Sequence, residues 1–378
     1  MKCETHYLGN VCTFIDYRGK TPPKTTSGIP LVTAKIVKNG MIQEPQEFIA
    51  ENYYDEWMRR GIPKKGSVVF TTEAPLGEVA RIRTDDKLAF AQRIIVLEPK
   101  VKQLSADYLF YALQDRVLKS RIEARSTGTT VIGIKAAELK KVEIDLPSLE
   151  DQEKIATILC SLDDKIELNN KINENLERQA QAIYQEWFGD INTEKAQGML
   201  SNICTYSKER VSVSELDIGT YFSTENMLPG KAGAVEASNL PTTAQTTACH
   251  VGDTLISNIR PYFKKIVYCH EECGCSTDVL CFVPAHPKYS AYLYSTLYTD
   301  RFFDFMVAGA KGTKMPRGDK QQIMTYPVTF PTDTELERFN SVAVPILTQI
   351  QNNRDENKRL SSLRDTLLPK LISGEIKL

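Results

Sequence analysis

The sequence predicts an α+β protein in which two tandem mixed α/β domains are separated by two long helices that form an antiparallel coiled coil. Three observations predict this internal, pseudo-two-fold duplication: self-similarity at a nearly constant offset, short β-branched runs in each half, and a long apolar repeat at the end of each half. The predicted boundaries are 1–147 for the first domain, 148–190 for the central helix, 191–331 for the second domain and 332–378 for the C-terminal helix.

The duplication is clearest in a Gly-Thr loop followed by a strand that ends in proline. This segment, residues 126–147, recurs in altered form at 310–331, an offset of 184 residues. The offset grows to 192 between LeuGlyAsnValCys at position 8 and LeuSerAsnIleCys at position 200. Insertions therefore lie in the front of each half.

Short runs rich in β-branched residues and bounded by Gly and Pro predict strands in each half. They cover 66–72, 78–83 and 93–99 in the first half, and 253–257, 264–269 and 279–284 in the second. A short helical pattern follows at 108–113 and again at 292–297.

A capping box predicts the start of each long helix. Ser148 precedes Asp151 by three residues, and Thr332 precedes Glu335 in the same way.

Each long helix contains ten positions, here called the seam, that follow one another at alternating spacings of four and three residues. This spacing is typical of a coiled coil. In the first helix they are Ile155, Leu159, Leu162, Ile166, Asn169, Asn173, Leu176, Ala180, Ile183 and Trp187. In the second they are Phe339, Ala343, Ile346, Ile350, Asn353, Asn357, Leu360, Arg364, Leu367 and Leu371.

Two asparagines occupy matching seam positions in each helix. An antiparallel register in which facing residue numbers add to 526 pairs Asn169 with Asn357 and Asn173 with Asn353. Polar pairs within an apolar seam specify register at some cost in stability. A lone asparagine would simply face solvent, but the coincidence in both copies favours pairing.

Composition indicates a globular protein with 42% apolar and 25% charged residues. The sequence has no membrane-length apolar run and no N-terminal signal core, and its nine cysteines are scattered, so we expect reduced thiols, a cytoplasmic location and no membrane partner. The net charge of −1 conceals a basic excess in residues 1–150 and an acidic excess in 151–190. A nucleic-acid partner would therefore meet local basic patches.

Signatures of common enzymes are absent from the sequence, including phosphate loops, HExxH and GxSxG motifs. The segment CysHisGluGluCysGlyCys, residues 269–275, with Cys281 beyond it, suggests zinc only weakly, because its spacing is not that of a standard knuckle. A cysteine-rich hairpin between two strands is the expected structure, and we predict no metal.

The layout resembles the DNA-specificity subunit of type I restriction–modification systems. The resemblance covers essentially the whole chain. It is carried by the two Gly-Thr loops, the helix start SerLeuGluAspGlnGluLysIle at position 148, and the endings IleTyrGlnGluTrpPheGlyAsp (183–190) and LeuLeuProLysLeuIleSerGlyGluIle (367–376).

The resemblance implies that each domain is a target recognition domain that reads one half of a bipartite site in double-stranded DNA. It implies that the helices space the domains and dock two methyltransferase subunits, and that restriction (translocase) subunits join the complex in phage defence. This chain would be non-catalytic and bind no cofactor directly, while S-adenosylmethionine, ATP and Mg would bind to partner subunits. Three alternatives remain: a specificity module of another bipartite DNA-modification or defence system, a metal enzyme using the cysteines, or a protein-binding scaffold.

Polar and basic loop residues beside the predicted strands are the candidate DNA contacts. In the first half they are Arg18, Lys20, Lys24, Thr72, Glu73, Gln92, Arg93, Arg125, Thr127, Thr129, Thr130 and Lys135. In the second half they are Ser257, Asn258, Arg260, Tyr262, Lys264, Lys311, Thr313, Lys314 and Arg317. Gly128 and Gly312 are expected to permit a turn or a close approach of backbone to phosphate.

Overall fold

The computed structural model describes residues 3–19, 21–100, 102–189 and 197–378. The chain divides into two compact units, unit 1 (Met1–Glu167 with Asn357–Leu378) and unit 2 (Leu168–Glu356). The two boundaries between the units, at 167/168 and 356/357, each fall within a long helix, so each unit contains part of both long helices. The architecture is α+β, as predicted, and within the described ranges no helix is long and apolar enough to cross a membrane.

Unit 1 combines short strands with short helices and the start of one long helix. Its strands are β1 (Glu4–Tyr7), β2 (Cys12–Asp16), β3 (Ile29–Val32), β4 (Val37–Lys38), β5 (Met41–Ile42), β6 (Phe48–Ile49), β7 (Val68–Thr72), β8 (Leu76–Arg81), β9 (Ala89–Phe90), β10 (Ile94–Pro99) and β11 (Glu143–Leu146). Its helices are α1 (Leu8–Val11), α2 (Tyr54–Trp57), α3 (Ala106–Ala112), α4 (Arg116–Glu123), α5 (Ala136–Leu139) and α6 (Leu149–Phe188), which continues into unit 2.

The central sheet of unit 1 has the order β2-β10-β7-β8 and is antiparallel. Alternate residues of β10 point to opposite faces. Ile95 and Leu97 pack against α3, α4 and the long helices, whereas Ile94 and Val96 pack against β3, β9 and α2. Because both faces are covered, β10 is a continuous apolar run rather than an alternating one.

Unit 2 repeats this plan. Its strands are β12 (Gln197–Met199), β13 (Cys204–Tyr206), β14 (Arg210–Ser212), β15 (Tyr221–Phe222), β16 (Gln245–Cys249), β17 (Thr254–Ser257), β18 (Ile266–Tyr268), β19 (Cys273–Cys275), β20 (Val279–Pro284) and β21 (Pro327–Thr329). Its helices are α7 (Ser290–Leu297), α8 (Asp300–Ala308), α9 (Lys320–Ile323) and α10 (Asp333–Ser373), which continues into unit 1. The sheet order β13-β20-β17-β18 matches that of unit 1 strand for strand, so the duplication read from the sequence is a duplication of topology.

The cysteine-rich hairpin was predicted wrongly. Strands β18 and β20, on either side of segment 269–275, do not pair with each other, because β17 lies between them in the sheet. The segment instead supplies β19 to a second sheet, of order β14-β16-β19-β15. Cys273 and Cys275 are buried there with Cys249, in an apolar cluster that also contains Met227.

The two long helices begin at the predicted caps. Ser148 Oγ accepts a hydrogen bond from the backbone N–H of Asp151 at 3.1 Å. At the start of α10 the box is reciprocal: Glu335 N–H donates to Thr332 Oγ1 at 3.3 Å, and Thr332 N–H donates to Glu335 Oε2 at 2.9 Å. These bonds satisfy N–H groups that the first helical turn leaves without partners.

The helices pair antiparallel, and every predicted seam side chain is buried or half-buried. Within unit 2 the rings of Trp187 and Phe339 lie 6.2 Å apart, as the register adding to 526 requires. Within unit 1 Arg364 Nη1 lies 2.8 Å from Asp163 Oδ1, one residue from that register. The seam was therefore identified correctly from its periodicity.

One of the two predicted asparagine pairs is directly visible. Asn353 Nδ2 donates to Asn173 Oδ1 at 2.7 Å, and both side chains are buried. Asn173 Nδ2 also donates to the carbonyl of Ile350 at 3.3 Å. Asn169 Nδ2 donates to Glu356 Oε2 at 2.7 Å, a contact the sequence did not predict. Pairing of Asn169 with Asn357 stays a prediction.

Replacing Asn353 by alanine will destabilise unit 2 by about 1–3 kcal/mol, because a buried amide oxygen on Asn173 loses its donor. The same change at neighbouring, exposed Asn352 is the matched control and will cost less than about 0.5 kcal/mol. Urea unfolding of the full chain measures both. The double change of Asn173 and Asn353 to leucine will recover stability, since no polar atom is then left unpaired. Equal losses at 352 and 353 would contradict the buried pair.

Candidate nucleic-acid interface

The Gly-Thr loop of unit 1, residues 127–133, is closed at its base by backbone hydrogen bonds. Thr127 N–H donates to the Gly133 carbonyl at 2.9 Å, and Gly133 N–H donates back at 3.0 Å. Ile134 N–H then donates to the carbonyl of Thr72, at the end of β7, at 2.9 Å. The loop is thus anchored to a strand of the central sheet.

A cleft of about 460 Å³ lies beside this loop. Its lining residues are Arg18, Gly19, Thr72, Glu73, Gln92, Arg93, Thr127, Gly133, Ile134 and Lys135. All except Gly19, Gly133 and Ile134 belong to the set proposed from sequence. Those three were missed because they carry no polar side chain.

Charged side chains of both signs line the cleft. Arg93 Nε lies 2.9 Å from Glu73 Oε1. The backbone of Arg93 has φ 69°, and its carbonyl accepts from Thr72 N–H at 2.8 Å, so the side chain leaves a constrained turn. An arginine can donate to guanine O6 and N7, and a glutamate can accept from cytosine N4. The cleft therefore offers complementary groups to a base pair.

Arg18 is held beside the cleft by Asp16, with Nη2 2.7 Å from Oδ2. Burial alone would raise the pKa of Asp16, but the hydrogen bonds from Arg18 outweigh it and the pKa is lowered. The carboxylate therefore stays ionised and keeps the guanidinium in place.

The other proposed contacts of unit 1 lie outside the cleft lining. Lys24 pairs with Glu47 at 2.7 Å, and Arg125 pairs with Glu138 at 3.3 Å. Thr129 and Thr130 are exposed in the loop. Lys20 lies outside the described residues.

Unit 2 contains the same backbone arrangement. Lys311 and Arg317 exchange N–H to carbonyl bonds, both of 2.9 Å, as Thr127 and Gly133 do in unit 1. Gly318 N–H donates to the carbonyl of Asn258 at 3.2 Å, the counterpart of the bond between Ile134 and Thr72. The loop that was recognised as a degraded sequence repeat is therefore a structural repeat.

The side chains on this second loop are largely exposed cations. Arg317 pairs with Asp278 at 2.9 Å, and Lys311 pairs with Asp319 at 2.5 Å. Thr313 and Lys314 are exposed. On the neighbouring 259–264 turn, Lys264 pairs with Asp300 at 2.8 Å. The ring of Tyr262, 49% exposed, lies 4.8 Å from that of Phe263 and is tilted by 57° against it.

Three residues proposed as contacts have positioning roles in the structure. Ser257 and Asn258 are only 2% and 7% exposed, and Ser257 Oγ donates to the carbonyl of Ile259 at 3.2 Å. Arg260 has φ 51°, and its N–H donates to the carbonyl of Pro316 at 2.7 Å, tying the turn to the loop. Sequence alone could not separate these residues from exposed ones, because they lie at the end of β17 and in the turn that follows it.

The two loop glycines differ in a testable way. Gly128 has φ 125°, and an added Cβ would overlap the Val131 carbonyl, whereas Gly312 has φ 100° and its nearest atom would lie 3.5 Å away. Replacing Gly128 by alanine will therefore cost about 2–4 kcal/mol and weaken DNA binding, while the same change at Gly312 will cost about 1 kcal/mol. Thermal unfolding of both variants checks this, and equal costs would show that the overlap is relieved by a small backbone shift.

Across the described ranges, no group of three or more His, Cys, Asp or Glu side chains is arranged to hold a metal ion. In the cysteine-rich region Cys269 Sγ lies 3.6 Å from Cys273 Sγ, and Cys281 Sγ lies 3.3 Å from Asp253 Oδ2. These thiols pack in an apolar core with Met227 and Leu255.

Comparisons with known proteins agree with this geometry. Residues 2–178 match the family model described as type I restriction modification DNA specificity domain. The MjaIX specificity subunit of a type I restriction enzyme from Methanocaldococcus jannaschii is 26% identical over 92% of this chain and 87% of its own length. The HindI specificity subunit from Haemophilus influenzae is 31% identical over 35% of this chain and 30% of its own length.

A solved structure has the same fold. The S subunit of a type I restriction–modification system from M. genitalium superposes with a TM-score of 0.56 at 17% identity, covering 98% of this chain and 96% of that one. The duplicated loops, the paired helices and these relatives lead to one conclusion: residues 2–178 match a type I restriction–modification DNA specificity domain, and the whole chain resembles the specificity subunits of those systems.

Proposed function

We propose that this chain is the sequence-reading, non-catalytic subunit of a type I restriction–modification complex, and that each unit reads one half of a bipartite site in double-stranded DNA. The observation that carries the proposal is one backbone arrangement, present in both units, that presents different side chains. Glu73 and Arg93 of unit 1 correspond to Ile259 and Asp278 of unit 2, so the same scaffold offers different chemistry. The two half-sites therefore differ.

The exposed cations beside each loop support DNA as the ligand. Arg18, Arg93 and Lys135 border the unit 1 cleft, and Lys311, Lys314 and Arg317 lie on the unit 2 loop. Such groups contact phosphates and guanine edges, whereas constrained backbone fixes their directions.

The long helices support docking of partner subunits. Leu168 and Ile172 of α6 are 52% and 38% exposed and lie one helical turn apart. An apolar pair on an otherwise polar helix face fits burial against another protein. We assign this face to methyltransferase subunits, two per complex, with restriction subunits joining through them.

The cofactors belong to those partners in this proposal. S-adenosylmethionine, ATP and Mg would bind the methyltransferase and restriction subunits, and the complex would act on DNA in the cytoplasm. The purified chain alone will then neither methylate nor cleave DNA.

The methylome of the host tests the proposal directly. Deleting the gene will remove methylation at one bipartite motif, and restoring the gene will bring it back. A variant with Arg93 replaced by glutamine will alter only the half of the motif that unit 1 reads, and the same change at exposed Arg59 is the matched control. An unchanged methylome after deletion, or methylation by the purified chain, would contradict the proposal.

A further inference from the structure

The tips of both Gly-Thr loops expose apolar side chains. In unit 1 Val131 and Ile132 are 50% and 55% exposed. In unit 2 the position equivalent to Val131 is Met315, which is 50% exposed. A single exposed apolar residue is normal on a protein surface, but exposed apolar side chains at the equivalent position of two diverged copies need an explanation.

These tips are held by constrained backbone. The paired N–H to carbonyl bonds between Thr127 and Gly133 close the first loop, and those between Lys311 and Arg317 close the second. Each loop is tied in turn to the end of its central strand through Thr72 or Asn258. A loop already ordered loses little conformational entropy when it meets a ligand, so its apolar tip can contribute most of its burial energy to binding.

The charge around each tip selects a polyanion as the ligand. Residues 124–137 contain Arg125 and Lys135 but no carboxylate, and residues 305–318 contain three cations but no carboxylate. Lys135 and Lys314 have no ion-pair partner within the described residues. Arg125, Lys311 and Arg317 are paired with carboxylates, so the cations left to meet a ligand are Lys135 and Lys314. An apolar tip beside such a lysine complements a groove in which bases lie between two rows of phosphates.

We propose that Val131 and Ile132 of unit 1, and Met315 of unit 2, enter a groove of the target duplex and pack against its bases while the flanking cations contact phosphates. This inference rests on the proposed function and adds the residues that contact bases without hydrogen bonds. Apolar side chains can pack on a thymine methyl group or enter an opened base step.

Salt-dependent binding by the assembled methyltransferase complex tests the inference. The probe is a duplex carrying the motif that the methylome defines, with a scrambled duplex as the competitor. The double variant Val131→Ser and Ile132→Ser will lose about tenfold to a hundredfold in affinity, since burial of two apolar side chains is removed. The slope of log affinity against log salt will not change, because no phosphate contact is lost.

Lys135→Ala is the matched control on the same loop. It will reduce the slope of log affinity against log salt by about 1, and it will weaken binding to the scrambled duplex as much as binding to the target. Met315→Ser will repeat the apolar result for unit 2. The substituted side chains are half exposed, so thermal unfolding of all variants will match that of the parent chain.

Three results would overturn the inference. The first is unchanged affinity in both apolar variants, and the second is a changed salt slope in them. The third is loss of complex assembly, with DNA affinity lost only as its consequence; the tips would then be a protein-docking surface. Failure of the proposed function is distinguishable, because the parent complex would then not discriminate the target from the scrambled duplex.

Discussion

Exchanging residues 200–331 for the equivalent segment of a family member will change one half of the methylated motif and leave the other half as it was. The segment contains the whole β13-β20-β17-β18 sheet, α7, α8 and the Lys311–Arg317 loop. Unit 1 carries its own sheet and its own loop, anchored by bonds that lie wholly within it. Under the proposed function, each set of base contacts then depends on one unit. Methylome sequencing of the host carrying the chimera measures the result.

The chimera must preserve the packing of unit 2 on the long helices. Tyr292 and Leu293 of α7 lie in one core with Tyr184 and Phe188 of α6 and Phe339 of α10. A donor with aromatic and aliphatic residues at positions 292 and 293 keeps this core. The matched control exchanges residues 12–146 and will change the other half of the motif. A change in both halves, or in neither, would show that the units do not read DNA independently.

Replacing Phe339 by alanine will destabilise unit 2 by about 3–5 kcal/mol, because a fully buried ring leaves a cavity that rigid neighbours cannot fill. Phe339 is 0% exposed. Its ring lies 5.4 Å from Phe188, 6.2 Å from Trp187 and 6.5 Å from Tyr292, in edge-to-face arrangements that add to the burial energy. This cluster joins α6, α7 and α10.

Urea unfolding of the full chain, followed by tryptophan fluorescence, measures the loss. Trp187 lies in the cluster and reports on it. Val342, 37% exposed on the same helix, is the matched control, and its change to alanine will cost less than about 0.5 kcal/mol. The conservative change of Phe339 to leucine will retain most of the stability. A loss below about 1 kcal/mol for the alanine variant would contradict the aromatic core.

The helical part of the fold could be predicted from local pattern alone. The capping boxes at Ser148 and Thr332 and the four-three spacing of seam residues depend only on neighbours within a few turns. The duplication also made the register of the two helices predictable, because the matching asparagines of the two copies can all face one another in one antiparallel pairing. The bond between Asn173 and Asn353 agrees with that pairing. The main strands were also found, since each is a dense β-branched run between turn residues.

The neighbours of each strand, and hence the site, were decided by the tertiary structure. Hydrophobic runs of four to six residues can pair in many orders, so nothing local shows that β17 separates β18 from β20 or that segment 269–275 joins another sheet. For the same reason the sequence proposed Arg18, Glu73, Arg93 and Lys135 only as separate loop residues. The antiparallel sheet and the loop anchor bring them to one cleft, and the anchoring strand-end residues Thr72 and Asn258 are buried in both units. Local periodicity determined the helices and their register; non-local strand pairing determined which side chains meet.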